Sequence, residues 1–238
     1  MALIDSLTSY WKFDESSGDA ADSHGSNTLT NTSVTYANTA PAIINNYAVF
    51  SSANFSKASV FNFAQGDSMS ISFWFYTGSY AADQAIIGRR TAAAGGWNIN
   101  IVSSTKIRLA MADTLGDKIV DATVSALSTN TWYHVVHTTT ALGTSGSTVI
   151  YLNASSQSLA QVVNDSVSPD YTGIEFQIGS WDDGSKVFGG RMDEVGIWSR
   201  ALTSDEVTSL YNGGAGFQYP FSAGGATVFT SNMLTLGA

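Results

Sequence analysis

The segment 188–214 constrains the fold most, because it joins a strand pattern directly to a helix that has signals at both ends. Residues 192–198 alternate in bulk as a half-buried strand does, which predicts Asp193 on the same face as Val195 and Glu194 on the opposite face. One carboxylate is therefore expected to point to each side of the sheet. Such a carboxylate needs a partner, because burying an unpaired charge is costly.

The helix that follows has its own start and stop signals. Thr203 is placed to cap the first turn, and Glu206, three residues later, is placed to return the hydrogen bond. Leu202 and Val207 have the spacing of a hydrophobic staple. The Asn-Gly pair at 212–213 favours the left-handed conformation that ends many helices. A strand followed by one short, capped helix is therefore predicted.

These residues carry a family resemblance. The run GRMDEVGIWSRALTSDEVTSLYN at 190–212 resembles the C-terminal signature of the laminin-G-like branch of the concanavalin A-like lectin/glucanase superfamily. Other segments agree in order: YWKFDE at 10–15, SISFWF at 70–75, WYHVV at 132–136 and VIYLN at 149–153. The resemblance implies an all-β fold, a two-sheet antiparallel jelly-roll sandwich with one short C-terminal helix. It leaves function open, since this fold carries lectins, adhesins and enzymes alike.

Short apolar segments separated by small residues indicate antiparallel strands. A meander of such segments occupies residues 85–90, 97–102, 106–111 and 118–124. The segment 69–76 has bulky side chains on both faces, which predicts a strand covered on both sides. Asn153-Ala154 stands where the family's hairpin tends to carry Asn-Gly. Because Ala tolerates a positive φ poorly, a turn of another type is expected there.

We expect one laminin-G-like domain over residues 1–216, since no linker-like boundary divides it. The tail 217–238 has no charged side chain and many apolar ones, so it is expected to pack on its own domain or on a neighbour. Residues 226–236 are predicted to form a docking strand that pairs with a sheet edge, within the molecule or in another chain. An oligomer, or membership of a larger assembly, is therefore expected.

Charge and composition exclude several classes of partner and site. The chain has 19 acidic and 10 basic residues, a net charge of −9, which disfavours binding to nucleic acid. Cysteine is absent, so disulfides and thiolate zinc sites are excluded. No apolar run reaches the roughly 18 residues of a membrane span, and no signal-peptide pattern is present. We expect no membrane insertion and a location on a virion surface or outside the cell.

Two carboxylates are candidate metal ligands. The resemblance implies calcium near the sheet edge, where related laminin-G-like and pentraxin-like domains often hold it with carboxylates and backbone carbonyls. Asp193 is one candidate, and Asp22, in an acidic loop similar to one that supplies a ligand in such domains, is the other. Calcium takes six to eight oxygens, so carbonyls and water would complete the set. The alternative is that Asp193 bonds to loop amides or pairs with an arginine.

The loop 180–185, Ser-Trp-Asp-Asp-Gly-Ser, is a candidate ligand site. Trp181 could offer an indole face to a sugar, with Asp182 and Asp183 as polar neighbours. An ordinary turn with one exposed Trp is the alternative. Arg89 is a further candidate, although a solvated sheet edge is the favoured explanation for Arg89 and its neighbour.

The sequence does not favour catalysis. The superfamily's glucanases resemble one another in an E-x-D-x-x-E strand that carries acid and nucleophile, and the four Glu of this chain form no such pattern. No nucleophile elbow or phosphate-binding loop is present. His134 and His137, three residues apart on a predicted strand, should point to opposite faces and cannot share a metal ion.

These observations predict a non-catalytic surface or assembly module. The leading hypothesis is a bacteriophage virion decoration or tail-associated protein that binds host glycans or another virion protein. A free carbohydrate-binding module or adhesin is the alternative, and a glycoside hydrolase with an unfamiliar site is a third hypothesis.

Overall fold

The computed structural model describes residues 2–93, 95–144, 146–165 and 167–221, which form two β-sheets and one short helix. The strands are β1 (Leu7–Trp11), β2 (Thr30–Thr32), β3 (Thr35–Ala37), β4 (Tyr47–Phe50), β5 (Asn54–Lys57), β6 (Met69–Thr77), β7 (Gln84–Thr91), β8 (Gly95–Ser103), β9 (Lys106–Ala112), β10 (Asp117–Thr123), β11 (Trp132–Thr139), β12 (Thr148–Leu152), β13 (Ser155–Ser156), β14 (Ser158–Asn164), β15 (Phe176–Ile178) and β16 (Gly190–Trp198). Helix α1 spans Ser204–Tyr211 and leads into a 3₁₀ turn over Asn212–Gly214.

Each sheet has eight strands. The first has the order β13-β12-β11-β6-β16-β4-β3, with β1 also paired to β16, and the second has the order β14-β10-β9-β8-β7-β15-β5-β2. The strand pairs described in both sheets are antiparallel. The predicted all-β, two-sheet jelly-roll sandwich with one short C-terminal helix is therefore confirmed.

The main core lies between the sheets and is rich in aromatic side chains. Trp11, Trp97 and Phe176 are fully buried in it. A second apolar cluster covers the outer face of the first sheet and joins Leu7 to Trp198, together with residues of α1. Strand β6 lies between the two clusters and is buried along almost all of its length. The predicted covering of both its faces is thus confirmed.

Helix α1 begins as the sequence predicts. The Thr203 hydroxyl accepts a hydrogen bond from the backbone N–H of Glu206, and the Glu206 carboxylate accepts one from the backbone N–H of Thr203. Arg200 also donates to both oxygens of that carboxylate, at 2.6 and 2.8 Å. Asn212 ends the helix with a φ of 48°, in the left-handed region. Both predicted end signals are confirmed.

Strand β16 breaks its alternation at the two carboxylates, so the prediction of one carboxylate on each face is wrong. Its register with β6 shifts between Asp193 and Gly196, and Glu194 has a φ of 51°. This β-bulge places both Met192 and Val195 in the main core, which strict alternation would forbid. The bulge lies where β16 changes neighbours, from β4 at Met192 to β1 at Val195.

The hairpin between β12 and β13 also differs from the prediction. Asn153 and Ala154 have φ of 49° and 63°, so the turn keeps the conformation that an Asn-Gly pair would adopt. The expectation of another turn type is therefore wrong. Hydrogen bonds hold the turn in place, since Asn153 donates its backbone N–H to the carbonyl of His134 and accepts the N–H of His134 on its side-chain oxygen.

The start of the C-terminal tail packs on the outer face of the first sheet. Phe217, Tyr219 and Phe221 join the second apolar cluster, and the ring of Phe221 lies edge-on to Tyr10 at 5.3 Å. The predicted docking strand at 226–236 lies outside the described residues. It stays a prediction.

Candidate functional site

The bulge in β16 gathers a buried carboxylate cluster beneath the start of the tail. Glu194 accepts hydrogen bonds from the Tyr10 hydroxyl at 2.5 Å and from the Gln218 side-chain amide at 2.7 Å. Asp193 accepts one from the backbone N–H of Ile44 at 3.1 Å, and its Oδ1 is buried without a partner among the described residues. Asp193 and Glu194 are 0% and 3% exposed. Solvent therefore has little access to either carboxyl group.

Burial shifts the protonation of the whole cluster. It is the main cause that raises the pKa of Asp193 well above its usual value, and the charge of Glu194 adds to it. Burial also raises the pKa of Glu194, although hydrogen bonds from Tyr10 and Gln218 oppose it. The pKa of Tyr10 rises for the same two reasons, burial first and then the charge of Glu194. The cluster therefore retains protons that exposed carboxyl groups release, which reduces its cost of burial.

Asp22 organises the loop between β1 and β2. Its carboxylate accepts hydrogen bonds from four backbone N–H groups, those of Tyr10, His24, Gly25 and Asn27. Burial alone would raise its pKa, but these hydrogen bonds lower it below the usual value. A side chain on Gly25 would come within 2.7 Å of the carboxylate, so glycine permits this close wrapping.

The two predicted calcium ligands differ in how well they fit a metal ion. The oxygens of Asp22 already face four donors, whereas calcium needs six to eight oxygens around it. Asp193 keeps one buried oxygen without a hydrogen-bond partner among the residues that the structure describes. Within the described ranges, no group of three or more acidic or histidine side chains is arranged to hold a metal. Calcium stays a prediction, and the geometry favours Asp193 over Asp22 as a ligand.

The loop around Trp181 is held rigidly by its own carboxylates. Asp182 accepts hydrogen bonds from the backbone N–H of Glu175 and the side-chain amide of Gln177. Asp183 accepts from the backbone N–H of Ala92 at 2.7 Å and from Ser185. Both carboxylates therefore fix the loop that carries the indole. The expectation that they serve a ligand directly remains a prediction.

Arg90 is the arginine that lies beside Trp181. Its guanidinium carbon is 4.9 Å from the centroid of the half-buried indole, and its Nη2 pairs with Asp117 at 2.9 Å. Its Nη1 donates to the side-chain oxygen of Asn98. Part of the predicted aromatic platform is therefore covered by a cation. Neighbouring residues on a strand point to opposite faces, so only one of Arg89 and Arg90 can lie beside Trp181. The alternation of β7 could therefore have separated the two arginines.

Arg89 points to the opposite side of β7, and the expectation of a solvated edge is wrong for it. It is 3% exposed and donates to the backbone carbonyls of Val60, Tyr171 and Ile174. It also lines a pocket of about 460 Å³ whose walls do not include Trp181. The four predicted ligand-binding residues thus occupy two separate places.

The two histidines of β11 lie on opposite faces, as predicted. His134 contacts the Ser72 hydroxyl at 2.8 Å through Nε2 and stacks on Trp74 under the helix. His137 pairs across the strands with Ile71 and Ile150 of the main core, and neither of its nitrogens has a partner in the described part of the chain. Burial lowers the pKa of both histidines to about 3.

Two eight-stranded antiparallel sheets around a common core define a jelly-roll β-sandwich. A sequence model of a laminin-G family, described as concanavalin A-like lectin/glucanases superfamily, matches residues 45–208. The chain belongs to this superfamily, in its laminin-G-like branch. No curated protein matches it by sequence.

Solved structures with the same fold include several binding domains. The binding domain of Paraclostridial Mosquitocidal Protein 1 has a TM-score of 0.63 at 18% identity, over 89% of this chain and 53% of that one. A second structure is domain 4 of AbnA, a GH43 extracellular arabinanase from Geobacillus stearothermophilus, in complex with arabinotriose. It has a TM-score of 0.60 at 17% identity, over 85% of this chain and 96% of that one. The receptor binding domain of botulinum neurotoxin D has a TM-score of 0.64 at 16% identity, over 90% of this chain and 54% of that one.

At these identities the likeness shows the fold alone. The chain spans about half the length of the mosquitocidal and neurotoxin binding domains, and nearly the whole of the arabinanase domain. None of the helices in the described ranges is long and apolar enough to cross a membrane.

Proposed function

We propose that the chain is a non-catalytic module that binds glycans or glycan-bearing receptors. The observation that carries the proposal is the patch formed by Trp181 and Arg90, in which a half-buried indole lies beside polar side chains. Two carboxylates fix the loop in advance, so binding need not pay to order it. An indole holds a sugar by apolar contact and polar neighbours set its orientation.

The burial of Asp193 and Glu194 supports a non-catalytic role for this pair of carboxyl groups. Glycosidases place two carboxyl groups roughly 5–10 Å apart on either side of an accessible glycosidic bond. Asp193 and Glu194 are adjacent, but both are buried, Asp193 beside Ile44 and Glu194 beneath the segment that carries Gln218. A polysaccharide cannot reach them without displacement of the residues that cover them. The binding-domain neighbours agree with this reading, since one of them holds arabinotriose.

We place the module on a larger particle, with a bacteriophage virion surface as the leading candidate. The support is a compact domain followed by an uncharged apolar tail that can dock on another chain. Deletion of residues 224–238 should leave a folded monomer that no longer oligomerises or attaches to the particle. Light scattering and co-sedimentation measure this. A truncated protein that keeps the full-length mass and still co-sediments would contradict the docking role.

Trp181→Ala tests the binding patch. The side chain is only half-buried, so the variant should keep its fold and lose at least tenfold in affinity for the glycan that binds best on an array. Gln157→Ala, a change on a distant part of the surface, is the control. If Trp181→Ala unfolds, the indole belongs to the core and the patch is not a binding site.

A free carbohydrate-binding module or adhesin is the second candidate function, and the arabinanase domain is the observation that favours it. Purification of the source particle distinguishes the two. A protein that co-purifies with a virion supports the first, and one found joined to a catalytic domain supports the second. Turnover of any polysaccharide by the isolated chain would instead support a glycoside hydrolase.

A further inference from the structure

A cleft whose lining does not include Trp181 lies between two loops. The loop 58–68 connects β5 to β6, and the loop 165–175 connects β14 to β15. Two pockets open between them, of about 460 and about 490 Å³. Both pockets draw walls from each of the two loops. Each volume is within the range of small-molecule sites in proteins.

Buried hydrogen bonds clamp the two loops together. Arg89 donates to the carbonyl of Val60 on one loop at 3.1 Å and to the carbonyl of Tyr171 on the other at 2.8 Å. The Tyr171 hydroxyl donates to the carbonyl of Phe63, back across the cleft. The guanidinium also stacks on the Tyr171 ring at 4.9 Å. The cleft is therefore formed before any ligand arrives, which lowers the cost of binding.

The cleft presents polar side chains that the fold itself does not use. The amides of Asn62 and Gln65 and the carboxylate of Glu175 make no hydrogen bond within the described residues, although all three line a pocket. Asp170 also lines the cleft, and its carboxylate accepts hydrogen bonds from the backbone N–H and the side chain of Thr172. These solvent-accessible donors and acceptors, held on clamped loops, are available to replace their bonds to water with bonds to a polar ligand.

The charges of the lining select the ligand class. Arg89 is the one cation among the described lining residues, and its donors are directed at backbone carbonyls. Asp170 and Glu175 would repel a carboxylate or phosphate placed beside them. Sugar hydroxyls both donate to carboxylates and accept from amides, so they match the lining without any net charge.

We infer that this cleft is a second binding site, for a neutral oligosaccharide of at least two units. One pocket is lined by Asn62 and Glu175 and the other by Gln65, and residues of the same two loops line both, so consecutive sugar units can occupy successive pockets. The inference rests on the proposed glycan-binding function and assigns that function a further location.

The test uses the full chain on an array of neutral and uronic-acid oligosaccharides, with the strongest ligand then titrated by calorimetry. The double variant Asn62→Ala/Gln65→Ala removes two exposed amides and should keep the wild-type melting temperature. Its affinity for a neutral oligosaccharide should fall at least tenfold. The variant Gln157→Ala, which removes a surface amide elsewhere, should bind as the wild type does.

The outcomes separate this inference from the proposed function. Unchanged binding by the double variant, with binding lost in Trp181→Ala, overturns the cleft and leaves the proposed function standing. Binding of uronic-acid oligosaccharides alone overturns the ligand class. An array without any bound glycan overturns both proposals. Amide shifts in ¹⁵N spectra confined to loops 58–68 and 165–175 would confirm the location.

Discussion

At the scale of single residues, buried polar groups without hydrogen-bond partners give direct predictions for stability. His137 lies on the core side of β11 with both ring nitrogens unpartnered in the described part of the chain. An unsatisfied buried polar group costs roughly 1–3 kcal/mol. His137→Leu should therefore leave the domain as stable as the wild type at pH 8, or more stable by about 1 kcal/mol. Denaturant unfolding at that pH measures the difference.

The same residue predicts a pH dependence. The pKa of His137 is about 3 in the folded state, below the usual value of about 6.5, so its contribution to stability is fully present above pH 6.5 and is lost as pH falls toward 3. When the pH falls from 8, the free energy of unfolding of His137→Leu should decrease less than that of the wild type. The difference should grow by up to about 1.4 kcal/mol for each pH unit below 6.5. Parallel curves for both proteins would refute this assignment.

Alternation along a strand could place such residues but not their partners. It correctly predicted that His134 and His137 point apart, because side chains on a regular strand alternate faces. It could equally have separated Arg89 from Arg90. The hydrogen-bond acceptors of Arg89 could not be predicted, because they are backbone carbonyls of two loops that are distant from it in sequence.

At the scale of elements, the turn after β12 carries a measurable strain. Ala154 holds a φ of 63°, and the left-handed region costs a non-glycine residue roughly 1–2 kcal/mol. Glycine lacks that cost but loses more freedom on folding, by roughly 0.5–1 kcal/mol. Ala154→Gly should therefore stabilise the protein by about 0.5–1 kcal/mol in denaturant unfolding.

Ala160→Gly is the matched control for this turn. Ala160 is exposed and lies in β14 without a positive φ, so glycine there should destabilise the protein. Equal effects of the two changes would show that the turn stores no strain.

Regular elements were predictable and their irregularities were not. The capping box of α1 is a local pattern, so Thr203 and Glu206 were sufficient to predict it. The bulge at Glu194 lies where the strand paired with β16 changes from β4 to β1. This change depends on contacts between segments distant in sequence, so the spacing of apolar residues within β16 does not reveal it. The sequence therefore identified Asp193 as a candidate site residue but not Glu194, and it wrongly placed the two carboxylates on opposite faces.

At the scale of the whole molecule, calcium is the open question that stability can answer. If Asp193 binds calcium, a hundredfold excess over Kd should stabilise the folded state by about 2.7 kcal/mol and raise the melting temperature, and chelator should reverse the rise. Asp193→Asn should abolish the response. Asp22→Asn should lower the melting temperature equally with and without calcium, because its carboxylate holds four loop amides. Identical wild-type melts in calcium and in chelator would remove calcium from the account.

The overall architecture could be predicted from short, alternating apolar segments and from the C-terminal signature. The rest of the sequence was not needed for this, because two-sheet sandwiches tolerate wide sequence variation. The location of the proposed binding surface did not follow from these patterns. The Trp181 loop was predicted from its composition, whereas the cleft beside Arg89 arises from two loops that sequence order keeps about 100 residues apart.

The central claim is binding without catalysis, and calorimetric titration of the best array glycan into the full chain tests it most directly. The account predicts saturable heats that end at a flat baseline, with the glycan recovered at its original length by chromatography. A continuing heat signal with shortened products would show a glycoside hydrolase, and an absence of any binding heat would contradict the glycan-binding module.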